Sequence, residues 1–246
     1  MTDRTARSGM SHRYVTDEPD IPFHYTILFE NARVIVIDKP HFLATTPRGM
    51  WYHNTALIQL REETGNQDLI PAHRLDRQTA GIILFVKHAN DRGAYQLKFQ
   101  NREVSKVYEC LAPRDPNMLF PQTIQSYIKK DVGTLQAYEV ENKQPNARTY
   151  IELKQEKDFT TDDYAALKQH PHSAIYVLHP HTGKTHQLRV HMNRLGLPIL
   201  GDDLYPIIQN RAYNDFSTPL ELVARTLEMD DPITGEHWVF TSRIPL

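Results

Sequence analysis

The stretch His73-Arg74-Leu75-Asp76-Arg77-Gln78-Thr79-Ala80-Gly81-Ile82-Ile83-Leu84-Phe85-Val86 decides how the rest of the chain is read. It opens on a charged loop, turns at Thr79-Ala80-Gly81, and continues as an unbroken apolar run from Ile82. Such a run, bounded by a glycine and a polar segment, predicts a strand buried on both faces. Asp76 then stands between Arg74 and Arg77 at the mouth of that strand. Neighbouring positive charge favours the ionised carboxylate, and surroundings poor in water strengthen what it does electrostatically. The plain alternative is a structural ion pair at a strand end.

Upstream, residues 27–30 and 34–38 flank Asn31-Ala32-Arg33 in the pattern of a hairpin. Lys39-Pro40 stops the second strand, because proline donates nothing to a ladder. Asn54 is a candidate cap for a helix over 55–63, with Ala56, Leu57 and Leu60 on one face and Gly65-Asn66 at its end. Asn90 is a candidate cap for a second helix over 91–101 that turns Ala94, Leu97 and Phe99 inward. Strands are expected over 104–111, 123–129, 135–140, 148–154 and 174–178, with a polar loop and a short helical piece over 155–172. Thr185 is the expected cap of a helix that begins at His186 and ends at Gly196, with Leu188, Met192 and Leu195 on one face. A last strand pair is expected over 220–228 and 237–241. Strands that follow one another without intervening helices favour an α+β class, with a mixed, largely antiparallel central sheet and flanking helices. Residues 1–20 are polar and aperiodic and are expected to form a flexible arm. Residues 21–246 then make one domain.

Of the 246 residues, 40% are hydrophobic and 24% charged, the composition of an ordinary globular chain. The formal net charge of −2 does not mark a basic nucleic-acid binder, so any positive surface has to be local. Cys110 is the only cysteine and has no intrachain partner, which together with the missing signal-peptide core points to the cytoplasm. No apolar run approaches the length of a membrane span. The chain carries 13 histidines, but HExxH is absent and His186 and His191 lie at the wrong spacing to share a helix face, so no metal is expected. Gly183-Lys184-Thr185 lacks the upstream glycine of a phosphate loop, and no G-x-S-x-G occurs, which disfavours a nucleotide cofactor and serine hydrolysis.

What remains is a guarded aspartate, a helix-borne arginine and a strand-borne tyrosine. Arg189 lies at the border of the buried helix face, where its planar fork requires a carboxylate, and Asp76 is the expected partner. Tyr108 in Lys106-Val107-Tyr108 reads either as core packing or as a flat surface for a ring. Aromatic stacking beside Arg and Lys is how proteins hold a base removed from its stack.

From about Ile27 to its end the chain resembles the RluA family of pseudouridine synthases. The resemblance is carried by ILFENARVIVIDKP, by His73-Arg74-Leu75-Asp76 with Thr79 and Gly81, by Lys106-Val107-Tyr108, and by GKTHQLRVH (183–191) followed by LGLPILGDDLY. HRLD and THQLRVH, in this order and at this separation, are specific together. The family implies isomerisation of uridine to pseudouridine in rRNA or tRNA, with the target base flipped out of the RNA. It implies Asp76 as the essential carboxylate, Arg189 as its partner, and Tyr108 stacked on the base. Leu188 would lie beneath the ring, and Arg74 would fill the vacancy left by the nucleotide. His73, Lys184 and Gln187 complete the expected substrate contacts. No metal, cofactor or membrane is implied, and a monomer is expected. Ala80 stands where the family usually has serine, and Lys184 where arginine is common. A non-catalytic RNA-binding or RNA-folding protein on the same scaffold is the alternative, opposed by the intact Asp76, Tyr108 and Arg189 set. Arg74, Arg77 and Lys184 are expected to line one cleft.

Overall fold

The computed structural model describes residues 18–246. In chain order it contains β1 (Thr26–Glu30), β2 (Val34–Lys39), α1 (Ala56–Thr64), β3 (Ile70–Pro71), β4 (Ala80–Val86), α2 (Arg92–Gln100), β5 (Ser105–Pro113), β6 (Gln122–Ser126), β7 (Ile128–Lys129) and β8 (Tyr138–Glu139). There follow β9 (Ala147–Leu153), α3 (Thr161–Gln169), β10 (Ser173–Pro180), α4 (Gln187–Arg194), β11 (Leu222–Asp230) and β12 (His237–Thr241). The main sheet runs β1-β2-β4-β11-β5-β10-β9-β6, with β12 beside β11 and β3 beside β4. Among the described strands of this sheet only β4 and β11 pair in parallel. The architecture is therefore the α+β class that strand-after-strand patterning implies.

Every residue of β2 and β4 is buried, so the apolar run of β4 is a central strand covered on both faces. Asn31 sets the β1–β2 turn, its side-chain oxygen accepting from the backbone N–H of Arg33 and Val34. Apolar side chains gather in several clusters. One lies between the sheet and α1, around Ile35, Ile83 and Leu60, and another beneath α4, around Tyr176, Leu178 and Met192. Tyr108 packs against both and so sits on the seam between them.

Several boundaries differ from the sequence expectation. Thr55, not Asn54, caps α1, its side chain accepting from the N–H of Ile58, because Thr55 is the residue with extended backbone at that junction. Asn90 caps nothing: Asp91 precedes α2 and makes no capping hydrogen bond. Tyr95 is the buried residue of α2, whereas Leu97 is 51% exposed, because the Tyr95 hydroxyl reaches the buried carboxylate of Asp231. The strand expected over 123–129 is broken into β6 and β7, and that over 135–140 shrinks to β8. The expected N-terminal arm falls mostly outside the described residues. Its last part is docked, since the Glu18 carboxylate accepts from the backbone N–H of Tyr52, His53 and Asn54.

Gly81 is required where β4 meets β11. Its φ is +113°, and a Cβ there would stand 2.3 Å from the Ala224 carbonyl oxygen. Both the backbone conformation and the close approach exclude a side chain. Gly81→Ala is expected to destabilise the fold by about 2–3 kcal/mol, lowering the melting temperature by roughly 5–10 °C for a domain of this size. Thermal unfolding followed by circular dichroism checks this.

Candidate functional site

Asp76 lies in the loop that leads into β4, and Tyr108 lies on β5, two strands away with β11 between them. α4 packs on β9 and β10 and brings Leu188 and Arg189 toward the same place. These elements enclose an open cavity of about 1010 Å³, lined among others by Asp76, Tyr108, Leu188 and Arg189. Arg74, His73, Lys184, Gln187 and Arg77 line it too, so the expected catalytic and substrate-contacting residues share one cleft. Arg48, Arg102, Lys106 and Arg211 add positive charge to the lining.

The side chains differ in how free they are. Arg74 and Lys184 are exposed at the rim. Leu188 is buried to 7% exposure and offers an apolar surface. Burial, and secondarily the charge of Asp76, pushes the Tyr108 phenol up, so it stays protonated at any ordinary pH. His73 is occupied by the fold: its ring stacks on Phe99 at 4.5 Å, and its Nε2 accepts from the Leu84 N–H at 3.3 Å. Burial pushes His73 down to about 3, which keeps it neutral. Gln187 is likewise committed, donating to the Arg148 carbonyl and Thr149 hydroxyl while accepting from Thr182 and the Lys184 N–H. It shapes the 182–186 loop.

Two expected contacts are absent. Arg189 does not pair with Asp76. Its Nε and Nη2 donate to the two oxygens of Asp202 at 2.8 and 2.5 Å, and Nη2 also donates to Asp203 at 3.0 Å. Arg189 is 2% exposed, so its charge demands a close carboxylate, and Asp202, 4% exposed and thirteen residues on, supplies it. Burial disfavours the guanidinium charge, but the hydrogen-bonded Asp202 more than offsets this, aided by the field of Asp76. Nor does Asp76 stand between two arginines. The Arg77 guanidinium lies 5.1 Å over the Trp51 ring and donates to the Phe42 carbonyl, where aromatic faces attract it.

Four further side chains act around Asp76. His186, the residue that precedes α4, holds its Nε2 3.9 Å from Asp76 Oδ2. Its side chain is 9% exposed, and it takes the N-cap position expected of Thr185 in a left-handed backbone conformation, φ 56°, without a side-chain capping hydrogen bond. Tyr205 receives the other ring nitrogen, Nδ1, at 3.0 Å. Lys39 is wholly buried under the loop and donates to the carbonyls of Pro40, Leu43 and Arg77, tying β2 to the segment that carries Asp76. Burial pushes Lys39 down to about 7, against the upward pull of Asp76. Gln78 donates to Asp203 at 3.0 Å, linking that loop to the partners of Arg189. A sequence signal existed for Asp202: an arginine on the edge of a buried helix face, followed across a tight turn by Gly201-Asp202-Asp203. Nothing in the pattern marked Lys39 or Gln78 as buried.

Residues 33–194 match the family model described as RNA pseudouridylate synthase. The chain belongs to the RNA pseudouridylate synthase family, in its RluA branch. It is 31% identical to the dual-specificity RNA pseudouridine synthase RluA of Haemophilus influenzae over 92% of this chain and 95% of that protein. It is 29% identical to the tRNA pseudouridine(31) synthase of Saccharomyces cerevisiae, covering 74% of this chain and 46% of the yeast protein. It thus spans about half the length of that yeast relative. Its fold resembles human RNA pseudouridylate synthase domain containing 4, with a TM-score of 0.64 and 25% identity over 89% of this chain and 88% of the other.

The buried Arg189–Asp202 pair yields a stability test. Asp202→Ala leaves the guanidinium buried without its bidentate partner, and a loss of about 3–5 kcal/mol is expected. Asp202→Asn, which keeps hydrogen-bond acceptance without the charge, is expected to lose less. Chemical denaturation of the three proteins gives the comparison.

Proposed function

We propose that the protein is an RNA pseudouridine synthase that isomerises specific uridines in tRNA or rRNA, with Asp76 as its catalytic carboxylate. The supporting observation is the shared cavity, in which the Asp76 carboxylate, free of any direct hydrogen bond among the described residues, shares the lining with a protonated phenol, an apolar side chain and a buried guanidinium beneath a basic rim. Family membership supports the reaction class. The names of the yeast and Haemophilus relatives, a tRNA enzyme and a dual-specificity RNA enzyme, support the substrate class.

The reaction conserves every heavy atom. The bond from nitrogen 1 of uracil to the ribose breaks, the base turns, and carbon 5 bonds to the sugar carbon. Carbon 5 gives up its proton and nitrogen 1 gains one, so no oxidant, reductant or group donor is needed. In this reading the uridine swings out of its RNA, and the cost is smallest where bases are already unstacked. The ring lies between Tyr108 and Leu188, a flat phenol and an apolar side chain suited to a base that carries no net charge. Asp76 faces the sugar and ring. Arg189, paired directly with Asp202, makes no direct pair with Asp76 and acts on it through its field. Arg74 occupies the gap left in the RNA, while Lys184 and the other rim cations meet phosphates. The enzyme acts as a cytoplasmic monomer.

Purified protein incubated with tRNA or rRNA tritiated at uridine carbon 5 tests the reaction. Tritium release is expected from the wild type and none above background from Asp76→Asn, with the melting temperature preserved. Unchanged release by that variant would remove Asp76 from the chemistry. Arg189→Lys is expected to lose most of the activity, since a point charge replaces a planar fork. Lys184→Ala should instead weaken RNA binding across sequences and lower the slope of log affinity against log salt by about 1. A filter-binding salt series measures that slope.

A further inference from the structure

Asp76 lacks the arginine partner that its surroundings suggest, and what stands closest to it is not an arginine. Among the described residues its carboxylate accepts no hydrogen bond, and the nearest side-chain nitrogen of a basic residue is Nε2 of His186, 3.9 Å from Oδ2. His186 reaches that place through a left-handed backbone conformation, φ 56° and ψ 19°, which residues with a Cβ enter at a cost. Its side chain makes no capping hydrogen bond to α4, so the conformation is not explained by helix capping. A strained residue beside a reacting group is where function is sought.

The imidazole is held from behind. Its Nδ1 lies 3.0 Å from the Tyr205 hydroxyl, and the two rings meet edge to face at 5.8 Å. The same hydroxyl accepts from the Ala137 N–H at 2.7 Å and lies 2.9 Å from the Ala137 carbonyl oxygen. Its single proton therefore has two acceptors, the Ala137 carbonyl and Nδ1 of His186. When it is given to Nδ1, the neutral ring carries its own proton on Nε2, the nitrogen that faces Asp76. Tyr205 is itself fixed, because its backbone N–H donates to Asp202, the partner of Arg189.

We propose that His186 is a positioning residue for Asp76: held by Tyr205, it donates from Nε2 to Oδ2 and keeps the carboxylate turned toward the bound uridine. The present separation is longer than a hydrogen bond, and catalytic hydrogen bonds commonly shorten when substrate fills the site. The charged groups around the ring divide evenly. Asp76 and Asp202 favour its protonation, whereas Arg189 and Lys130 oppose it, and burial, the largest influence, pushes it down. A neutral donor therefore faces the carboxylate, and it aims Asp76 without sharing its proton. This inference rests on the reading of Asp76 as the catalytic carboxylate.

The test is single-turnover tritium release at saturating RNA, with RNA affinity and melting temperature measured on the same proteins. Wild type, Asp76→Asn, His186→Ala, His186→Asn, Tyr205→Phe and the double variant His186→Ala/Tyr205→Phe are compared. His186→Ala is expected to slow release by roughly tenfold to a hundredfold, the scale of a misplaced reacting group, with RNA affinity unchanged. His186→Asn, which tolerates the left-handed backbone and keeps a donor, should recover part of the rate and stays informative if the alanine variant does not fold. Tyr205→Phe should slow release, and the double variant should be no slower than His186→Ala. A folded His186→Ala or His186→Asn within about threefold of wild type in rate would overturn the inference while wild type and Asp76→Asn still differ. A wild type that releases no tritium from tRNA or rRNA would overturn the function itself, and this inference with it.

Discussion

The site depends on one buried ion pair, Arg189 with Asp202. A guanidinium at 2% exposure cannot stand alone in the interior, and Asp202 meets it with both oxygens. The consequences run outward from there. Asp202 Oδ1 also accepts from the backbone N–H of Leu204 and Tyr205, so the pair fixes the turn after Gly201. Gly201 is needed at that turn, with φ +72° and the Pro219 carbonyl where a Cβ would be. The turn places the Tyr205 hydroxyl, the hydroxyl meets His186, and His186 faces Asp76. A pair that leaves Asp76 free of direct partnering thus still determines what surrounds it.

Charge is arranged locally within a chain that is nearly neutral overall. Two buried acidic side chains away from the cleft are spent on structure. Glu109 binds Lys154 at 2.7 Å and Arg225 at 2.7 Å, and Asp163 binds Lys154 at 2.9 Å. The cavity keeps cations at its rim instead, with Arg74, Lys184, Arg48 and Arg102 all exposed. An RNA backbone meets such a rim by displacing counterions, and this makes affinity sensitive to salt. Net charge is a poor guide to partners when the balancing carboxylates sit in the interior or on other faces.

Much of this was legible in the sequence. The apolar run 82–86, bounded by a glycine and a polar segment, reads as a strand covered on both faces, and Gly65 and Gly196 mark helix ends that the structure places in left-handed conformation. Residue types alone singled out Asp76, Tyr108 and Arg189, and the family resemblance added Arg74, Leu188, His73, Lys184 and Gln187; all of them line one cavity. What could not be read were directions. Arg77 follows Asp76 in sequence yet turns away to the Trp51 ring, and Asn54 and Thr185 lose their capping positions to neighbours. Those outcomes depend on backbone dihedrals and on distant side chains that short-range pattern does not contain. The partner of Arg189 was misassigned for a related reason: charge complementarity names a carboxylate, and only packing decides which of several.

The most direct measurement is the pseudouridine map of tRNA and rRNA from cells that lack the gene, complemented with either wild type or Asp76→Asn. The account predicts that defined pseudouridines disappear on deletion, return with the wild type, and stay absent with Asp76→Asn. A map unchanged by the deletion, or restored by Asp76→Asn, would contradict it.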